Sequence, residues 1–334
     1  MKKEFLPGWG LMLLVGVSAN LLSGLVEVGG RHPVEPVVVA ILLGILLRNT
    51  GLVPGACRPG IRAFEKVLIL GIVLIGAALD FRAIVSQGLA ILLIVLVTMS
   101  TGLVVIYGLA RLLKLPRGLS VLLTVGTTVC GGTAIAVTAP LIRAREEETT
   151  YAVGTIALWG LIAILVYPKL GQVLGAGDLT FGVFAGTAIH STPQVVGAGF
   201  IFSELAGRTA TAVKLVRNVF MVPIALLIAV WYGRRFLAAA GDRGSRVDIA
   251  RAFPWFLFGY FIMAGLNTAG LFPPDTVSAF DSAGRFLILL GLAGIGLNTV
   301  FSAFQTVGFK PLVVGLLGSV VVAGSSILLI ILLL

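Results

Sequence analysis

The chain has 334 residues, of which 58% are hydrophobic and 11% charged, with a mean hydropathy of +1.10. Soluble domains carry about 25% charged residues, so a soluble fold is excluded and a membrane protein is expected. The net charge of +10 does not point to nucleic acid, because the basic residues are scattered between apolar runs instead of gathered on one face.

Taken in chain order, the apolar runs between charges and prolines predict eleven membrane helices, near 7–26, 34–50, 64–81, 87–113, 117–142, 149–174, 179–201, 208–232, 253–272, 284–302 and 311–333. The yardstick is the roughly 20 apolar residues a helix needs to cross about 30 Å of hydrocarbon. Alternation over ten-residue segments, the mark of a membrane β-barrel, is missing, so the fold class is an all-α bundle of about eleven transmembrane helices. The N-terminal run follows Lys2 and Lys3 as a signal peptide would, but it lacks a small-residue cleavage pattern and is long enough to span. It is read as the first helix.

Lysines and arginines set the orientation. With the N-terminus inside, sixteen of them fall in cytoplasmic segments and six in outer ones, among the latter Arg31, Arg82, Arg143 and Arg145. That bias follows the positive-inside rule and predicts a multi-pass protein of the bacterial inner membrane, N-terminus cytoplasmic and C-terminus outside. The whole chain reads as one polytopic domain, with a basic cytoplasmic linker near 233–252.

Cys57 and Cys130 are far apart and in no metal-like or redox spacing, and no phosphate-cradling glycine loop occurs. No metal site and no cofactor is expected. The lone intramembrane histidine has no paired nucleophile or second histidine at a recognisable spacing, which argues against an enzyme. By elimination, a secondary transporter remains.

Three polar stretches interrupt the spans. Residues 128–140, "TVCGGTAIAVTAP", place Cys130, Gly131, Gly132 and Thr133 at a span centre. A break there would start a short half-helix at Thr133 whose free amides and positive dipole end make an anion site, with Thr127, Thr128 and Thr133 adding hydroxyl donors. The alternative is that the small residues allow close helix packing. Residues 186–199, "GTAIHSTPQVVGAG", put His190, Ser191, Thr192, Pro193 and Gln194 together at mid-span. Proline frees a carbonyl one turn earlier. His190 either carries a coupling proton or stays neutral and holds the kink. In "RTATAVKLVRNVFMVP", Lys214 and Arg217 lie three residues apart on one helix face near mid-depth with no carboxylate beside them. Such a pair calls for an anion; alternatively, Lys214 snorkels outward and Arg217 caps the carbonyls of a broken neighbouring helix.

A short echo between 74–84 and 293–304, with Gly76 over Gly294, suggests an inverted repeat in which Asn298 takes the place of Asp80. Asp80 is the one candidate for a membrane-buried carboxylate; the alternative is that it marks a helix end.

The pieces "CGGTAIAVTAP", "GTAIHSTPQVVGAG", "KLVRNVFMVP" and "GIGLNTVFSAFQTVGFKPL", in that order over roughly residues 64–315, resemble the YeiH-type sulfate exporter family of bacterial inner-membrane proteins. The resemblance implies an anion transporter exporting sulfate or a related sulfur oxyanion. It also implies a fold similar to the sodium/proton antiporter and bile-acid transporter group, built around interrupted crossing helices. Two departures stand out: Thr133 where the family often has serine, and Ser191 where an acidic residue is common after the histidine. The expected partners are thus a small anion and the lipid bilayer, with proton or sodium coupling as an option, since a dianion moves outward downhill at a negative interior potential. The alternative is a sodium- or proton-coupled carrier of an organic acid, in which the basic pair is structural. Glycine-rich apolar faces are compatible with a homodimer.

Overall fold

Runs of leucine, valine, isoleucine and alanine punctuated by glycine fold as helices throughout the described residues, because only a helix satisfies its own backbone in lipid. A computed structural model describes residues 3–25, 36–79, 88–232, 234, 255–302 and 308–334. The helices are α1 (Leu6–Leu25), α2 (Pro36–Asn49), α3 (Phe64–Ile75), α4 (Gly88–Leu112), α5 (Arg117–Val125), α6 (Gly132–Leu141), α7 (Glu146–Val173), α8 (Asp178–Ala188), α9 (Thr192–Phe202), α10 (Glu204–Val219), α11 (Met221–Tyr232), α12 (Phe256–Thr268), α13 (Pro274–Asn298) and α14 (Phe309–Leu333). Among the described residues, six stretches are long and apolar enough to cross a membrane: α1, α4, α7, α10 with α11, α13 and α14. Several others are shorter apolar helices. The linker near 233–252 lies, but for Arg234, outside the described residues, as do Asp80, Arg31, Arg82 and the ends of the 74–84 and 293–304 echo.

The chain divides into two units, Met1–Ser86 with Trp255–Ser302, and Gln87–Pro254 with Ala303–Leu334. In the first unit, α13 packs against α2 and α3 through glycines that let backbones touch. A methyl group at Gly44 would sit 2.8 Å from the Leu297 amide, and one at Gly71 2.8 Å from the Gly284 carbonyl. These are small-residue contacts of the kind membrane helices use where no hydrophobic force pulls them together. Helices α3 and α13 run antiparallel: Gly294 faces Phe64, Gly291 faces Leu68 and Gly284 faces Ile75.

The second unit holds the interruptions and corrects two of the expected crossings. Residues 117–142 do not cross. A methyl at Gly118 would lie 2.9 Å from the Glu148 carboxyl carbon, and one at Gly126 would touch both Ile135 and Ile156. Helix α5 therefore runs alongside the start of α7 as far as Ile156, and α6 returns beside it to the short connection that begins α7. Residues 179–201 turn back in the same way. Phe181 at the start of α8 stacks on Phe202 at the end of α9, ring centroids 4.0 Å apart. Gly182 packs on Thr209, and Gly199 packs on Gly207. Both segments are re-entrant helical hairpins, not straight crossings.

The reason is local. In the first hairpin, α5 widens into a π-helical turn at Gly126–Cys130, and Gly131 then takes φ 68°, ψ −130°, a conformation that residues with a side chain rarely adopt. In the second, Ile189 and Ser191 are extended, with ψ of 145° and 149°, and Pro193 lies in the first turn of α9. The two tips meet along α7: Gly131 lies 3.5 Å (from an added methyl) from Ile156, and Gly160 abuts the Gln194 side chain. At 1.5 Å per residue those positions lie about 15 and 21 Å along a helix of about 42 Å. Two hairpins entering from opposite ends thus touch near its middle.

This geometry reassigns charges within the unit. Tyr107 packs against Trp231, and Tyr232 lies among Arg111, Arg117 and Glu148. Helix α14 runs antiparallel to α4, with Gly318 against Ile106 and Val322 against Gly102. Arg143 and Arg145 therefore share an end with Arg111, Lys114, Arg117, Arg234 and Lys310, while Lys169 lies toward the other end with Arg208. The expected split between these residues is corrected accordingly.

Candidate functional site

Each hairpin contributes two unlike helix ends at its tip. The first arm arrives with unsatisfied carbonyls, the partly negative end of a helix; the second arm leaves with unsatisfied amides, the partly positive end. The surroundings treat the two kinds differently.

The carbonyl ends are buried and are met by Lys214 and Arg217 on α10. Lys214 is 0% exposed and Arg217 1%. Lys214 Nζ donates to Val129 O at 2.9 Å and Ile189 O at 3.0 Å, and also to His190 O. Three acceptors use all three hydrogens of an ammonium group. Arg217 Nε donates to Thr128 O at 2.6 Å, one terminal nitrogen donates to Thr127 O at 3.0 Å, and the other donates to Ile189 O at 3.3 Å and to Thr187 O. The i, i+3 spacing read from the sequence does place both cations on one face, but that face is lined by carbonyls. Arg217 caps a broken helix, as the alternative reading has it, but Lys214 does not snorkel outward: it is buried and caps carbonyls as well.

The amide ends are open. Gly132 and Thr133 are exposed, and Ser191 and Thr192 are partly so. A methyl on Gly132 would meet nothing within 4 Å. In α6 the first amide to bond back is Ile135, to Gly131 O at 3.2 Å. Those of Gly132 and Thr133 therefore have no partner within their helix, whereas Ala134 faces the Cys130 sulfur. In α9 the first is Val195, to Ser191 O at 3.0 Å. Ser191 N–H donates to Gln194 Oε1 at 3.3 Å, the reciprocal half of a capping box. The tips touch here: a methyl on Gly131 would sit 3.0 Å from Ser191 Cβ.

His190 is 1% exposed. Ser319 of α14 donates its hydroxyl hydrogen to Gly315 O at 2.7 Å and lies 3.0 Å from His190 Nε2. With that hydrogen spent, the histidine donates from Nε2, and Nδ1 is left a bare acceptor without a partner. A second rung, Thr187 Oγ1 to Ser326 Oγ at 2.6 Å, ties α8 to the same face of α14. Thr128 does not offer its hydroxyl outward; it donates to Thr124 O at 2.6 Å. Thr127 Oγ1 is buried without a partner. Cys130 Sγ rests 3.2 Å from Met221 Sδ.

Of the residues singled out from sequence, Cys130, Gly131, Gly132, Thr133, His190, Ser191, Thr192, Gln194, Lys214 and Arg217 come together in the second unit. Asn298 belongs to the first, where its side-chain amide donates to Ile61 O at 3.0 Å. Asn218 was missed. It is 3% exposed and donates to Thr192 Oγ1 at 3.1 Å. The available signal was an uncharged polar residue following Arg217 at the same depth.

Comparison with known proteins places the chain among membrane proteins. The family model described as Conserved hypothetical protein 698 matches residues 7–315. The UPF0324 membrane protein of Bacillus cereus is 33% identical over 317 residues, covering 95% of this chain and 91% of that protein. UPF0324 membrane protein OB3406 of Oceanobacillus iheyensis is 32% identical over 325 residues, covering 96% and 94%. UPF0324 membrane protein BMEI1914 of Brucella melitensis is 30% identical over 308 residues, covering 92% and 85%. With a matched model along nearly its whole length and relatives of this identity and coverage, the chain belongs to the UPF0324 family of membrane proteins, with which the YeiH-type resemblance is consistent.

Proposed function

We propose that this protein is a secondary transporter of a small inorganic or sulfur oxyanion, working by alternating access. Sulfate export is the activity that the family resemblance suggests. The observation that carries this reading is the pair of open helix N-termini, at Gly132–Thr133 and Ser191–Thr192, side by side at the hairpin tips. A charge count supports it. Two cations contribute +2, the two carbonyl ends they cap about −0.5 each, and the two amide ends about +0.5 each, for a net of about +2 at the tips. That field suits an oxyanion, and the amides supply directed donors. In this reading Lys214 and Arg217 contribute charge from behind, without touching the ligand.

The end carrying Arg111, Lys114, Arg117, Arg143, Arg145, Arg234 and Lys310 is placed in the cytoplasm by the positive-inside rule, in a bacterial inner membrane with the N-terminus inside and the C-terminus outside. Outward movement of a dianion is downhill at a negative interior potential, by about 2.3 kcal/mol per charge per 100 mV, so export needs no coupling ion.

The test is thermal stabilisation of the purified protein by sulfate, thiosulfate, sulfite, phosphate and chloride, followed by flux of the best binder in proteoliposomes. Stabilisation by an oxyanion at fixed ionic strength supports the reading; none by any anion defeats it. A second reading, a sodium- or proton-coupled carrier of an organic acid, is favoured by one observation: the basic pair is engaged with backbone carbonyls, as that reading requires. Stabilisation by sodium alone would select it.

A further inference from the structure

We propose that Asn218 belongs to the anion site and selects oxyanions that carry their own hydroxyl hydrogen over those that carry none. The inference rests on the oxyanion reading above and narrows its substrate class.

The argument starts from satisfaction of hydrogen bonds. Asn218 sits on α10 directly after Arg217 and is 3% exposed. Its Nδ2 donates to the hydroxyl of Thr192 at 3.1 Å, and Thr192 is the first residue of α9. The amide group is thereby held at one of the two open N-termini. Its carbonyl oxygen, Oδ1, is buried and has no partner.

A buried acceptor without a donor is a standing cost that native structures rarely carry without reason. The Gly132, Thr133 and Thr192 amides at the tips are donors, and Asn218 Oδ1 is the bare acceptor whose amide group is tied to Thr192 itself. Sulfate, a pure acceptor at neutral pH, would satisfy those amides and leave Asn218 Oδ1 bare. Hydrogen phosphate, bicarbonate or hydrogen sulfite would accept from the amides and donate its one hydrogen to Oδ1. A site that expects a hydroxyl from its ligand rejects an analogue lacking it far more strongly than a merely apolar pocket does.

The cleanest probe is a pair of dianions alike in size and charge, hydrogen phosphate and sulfate, compared at a mildly alkaline pH where phosphate keeps one proton. Binding to the full chain in detergent, measured by calorimetry at constant ionic strength, is expected to favour hydrogen phosphate by at least about tenfold. Bicarbonate should likewise exceed nitrate, which has the same charge and no hydrogen. In Asn218→Leu, which removes the acceptor and keeps the volume, the two preferences should collapse toward unity through a loss for the donor-bearing anions.

Sulfate binding as well as or better than hydrogen phosphate to the unaltered protein overturns the inference and leaves the transporter reading standing. A preference that survives in Asn218→Leu overturns the assignment to this residue. Failure of every anion to bind the unaltered protein strikes the transporter reading itself. Should Asn218→Leu not fold, the two comparisons on the unaltered protein still decide whether donor-bearing anions are preferred.

Discussion

Gly131 and Gly132 are adjacent, chemically identical and placed by the fold in opposite situations, so one substitution made at each tests the hairpin directly. At Gly131 the backbone has φ 68° and ψ −130°, and a methyl would sit 3.0 Å from Ser191 Cβ and 3.3 Å from Ser191 Cα. The conformational strain alone costs about 1–3 kcal/mol, and the crowding pushes on the backbone of the opposing tip, which cannot swing aside as a long side chain would. At Gly132 the same methyl meets nothing within 4 Å and begins a helix, where alanine gains up to about 1 kcal/mol over glycine. Gly131→Ala is therefore expected to unfold at a markedly lower detergent-denaturant fraction than the parent, and Gly132→Ala at an equal or higher one. Intrinsic tryptophan fluorescence during titration with a denaturing detergent measures both. Equal midpoints, or a greater loss at Gly132, would refute the placement of the break.

Three further outcomes follow from the same geometry. Arg217→Lys keeps the charge but not the fork that reaches Thr127, Thr128 and Thr187 together. It should lose about 2 kcal/mol or more in the same titration, since hydrogen bonds to charged groups contribute about 1.5–3 kcal/mol each; an unchanged midpoint would show the carbonyl contacts to be dispensable. Arg117→Cys and Arg143→Cys, each in a chain with Cys57 and Cys130 replaced, should react with a membrane-impermeant thiol reagent from the same face of oriented vesicles. Labelling from opposite faces would restore a straight crossing for 117–142. Gly160→Ala places a methyl on the Gln194 side chain, so Gln194 must leave the Ser191 amide. Anion-dependent stabilisation should fall while expression persists, and full retention would remove Gln194 from the site.

The sequence made the breaks visible but not their consequence. Glycine in pairs and a Ser-Thr-Pro-Gln run are local signals, and each marks the tip of a hairpin. Whether a chain of some 25 apolar residues goes straight through or turns back at its middle is decided by what lies beside both arms, and length cannot report it. The available hint was charge: Arg143 and Arg145, read as outer residues, lie on the basic end once the first hairpin folds back. The cations were legible as unusual and carbonyl capping was one reading of Arg217, but which carbonyls they meet was not legible, because every residue carries one. Asn218 escaped notice for a related reason. Its importance lies in one bond it makes and one it lacks, and neither is written in residue type.

The sharing of Lys214 and Arg217 between the two hairpins also sets an order of assembly. Lys214 follows Val129 by 85 positions and Arg217 follows Thr127 by 90, so the first hairpin leaves the ribosome well before the groups that cap it. In lipid, each uncapped carbonyl costs several kcal/mol. Until α10 is delivered, the first hairpin has no reason to lodge at depth, and its final seating becomes a late step in biogenesis, taken jointly with the second hairpin.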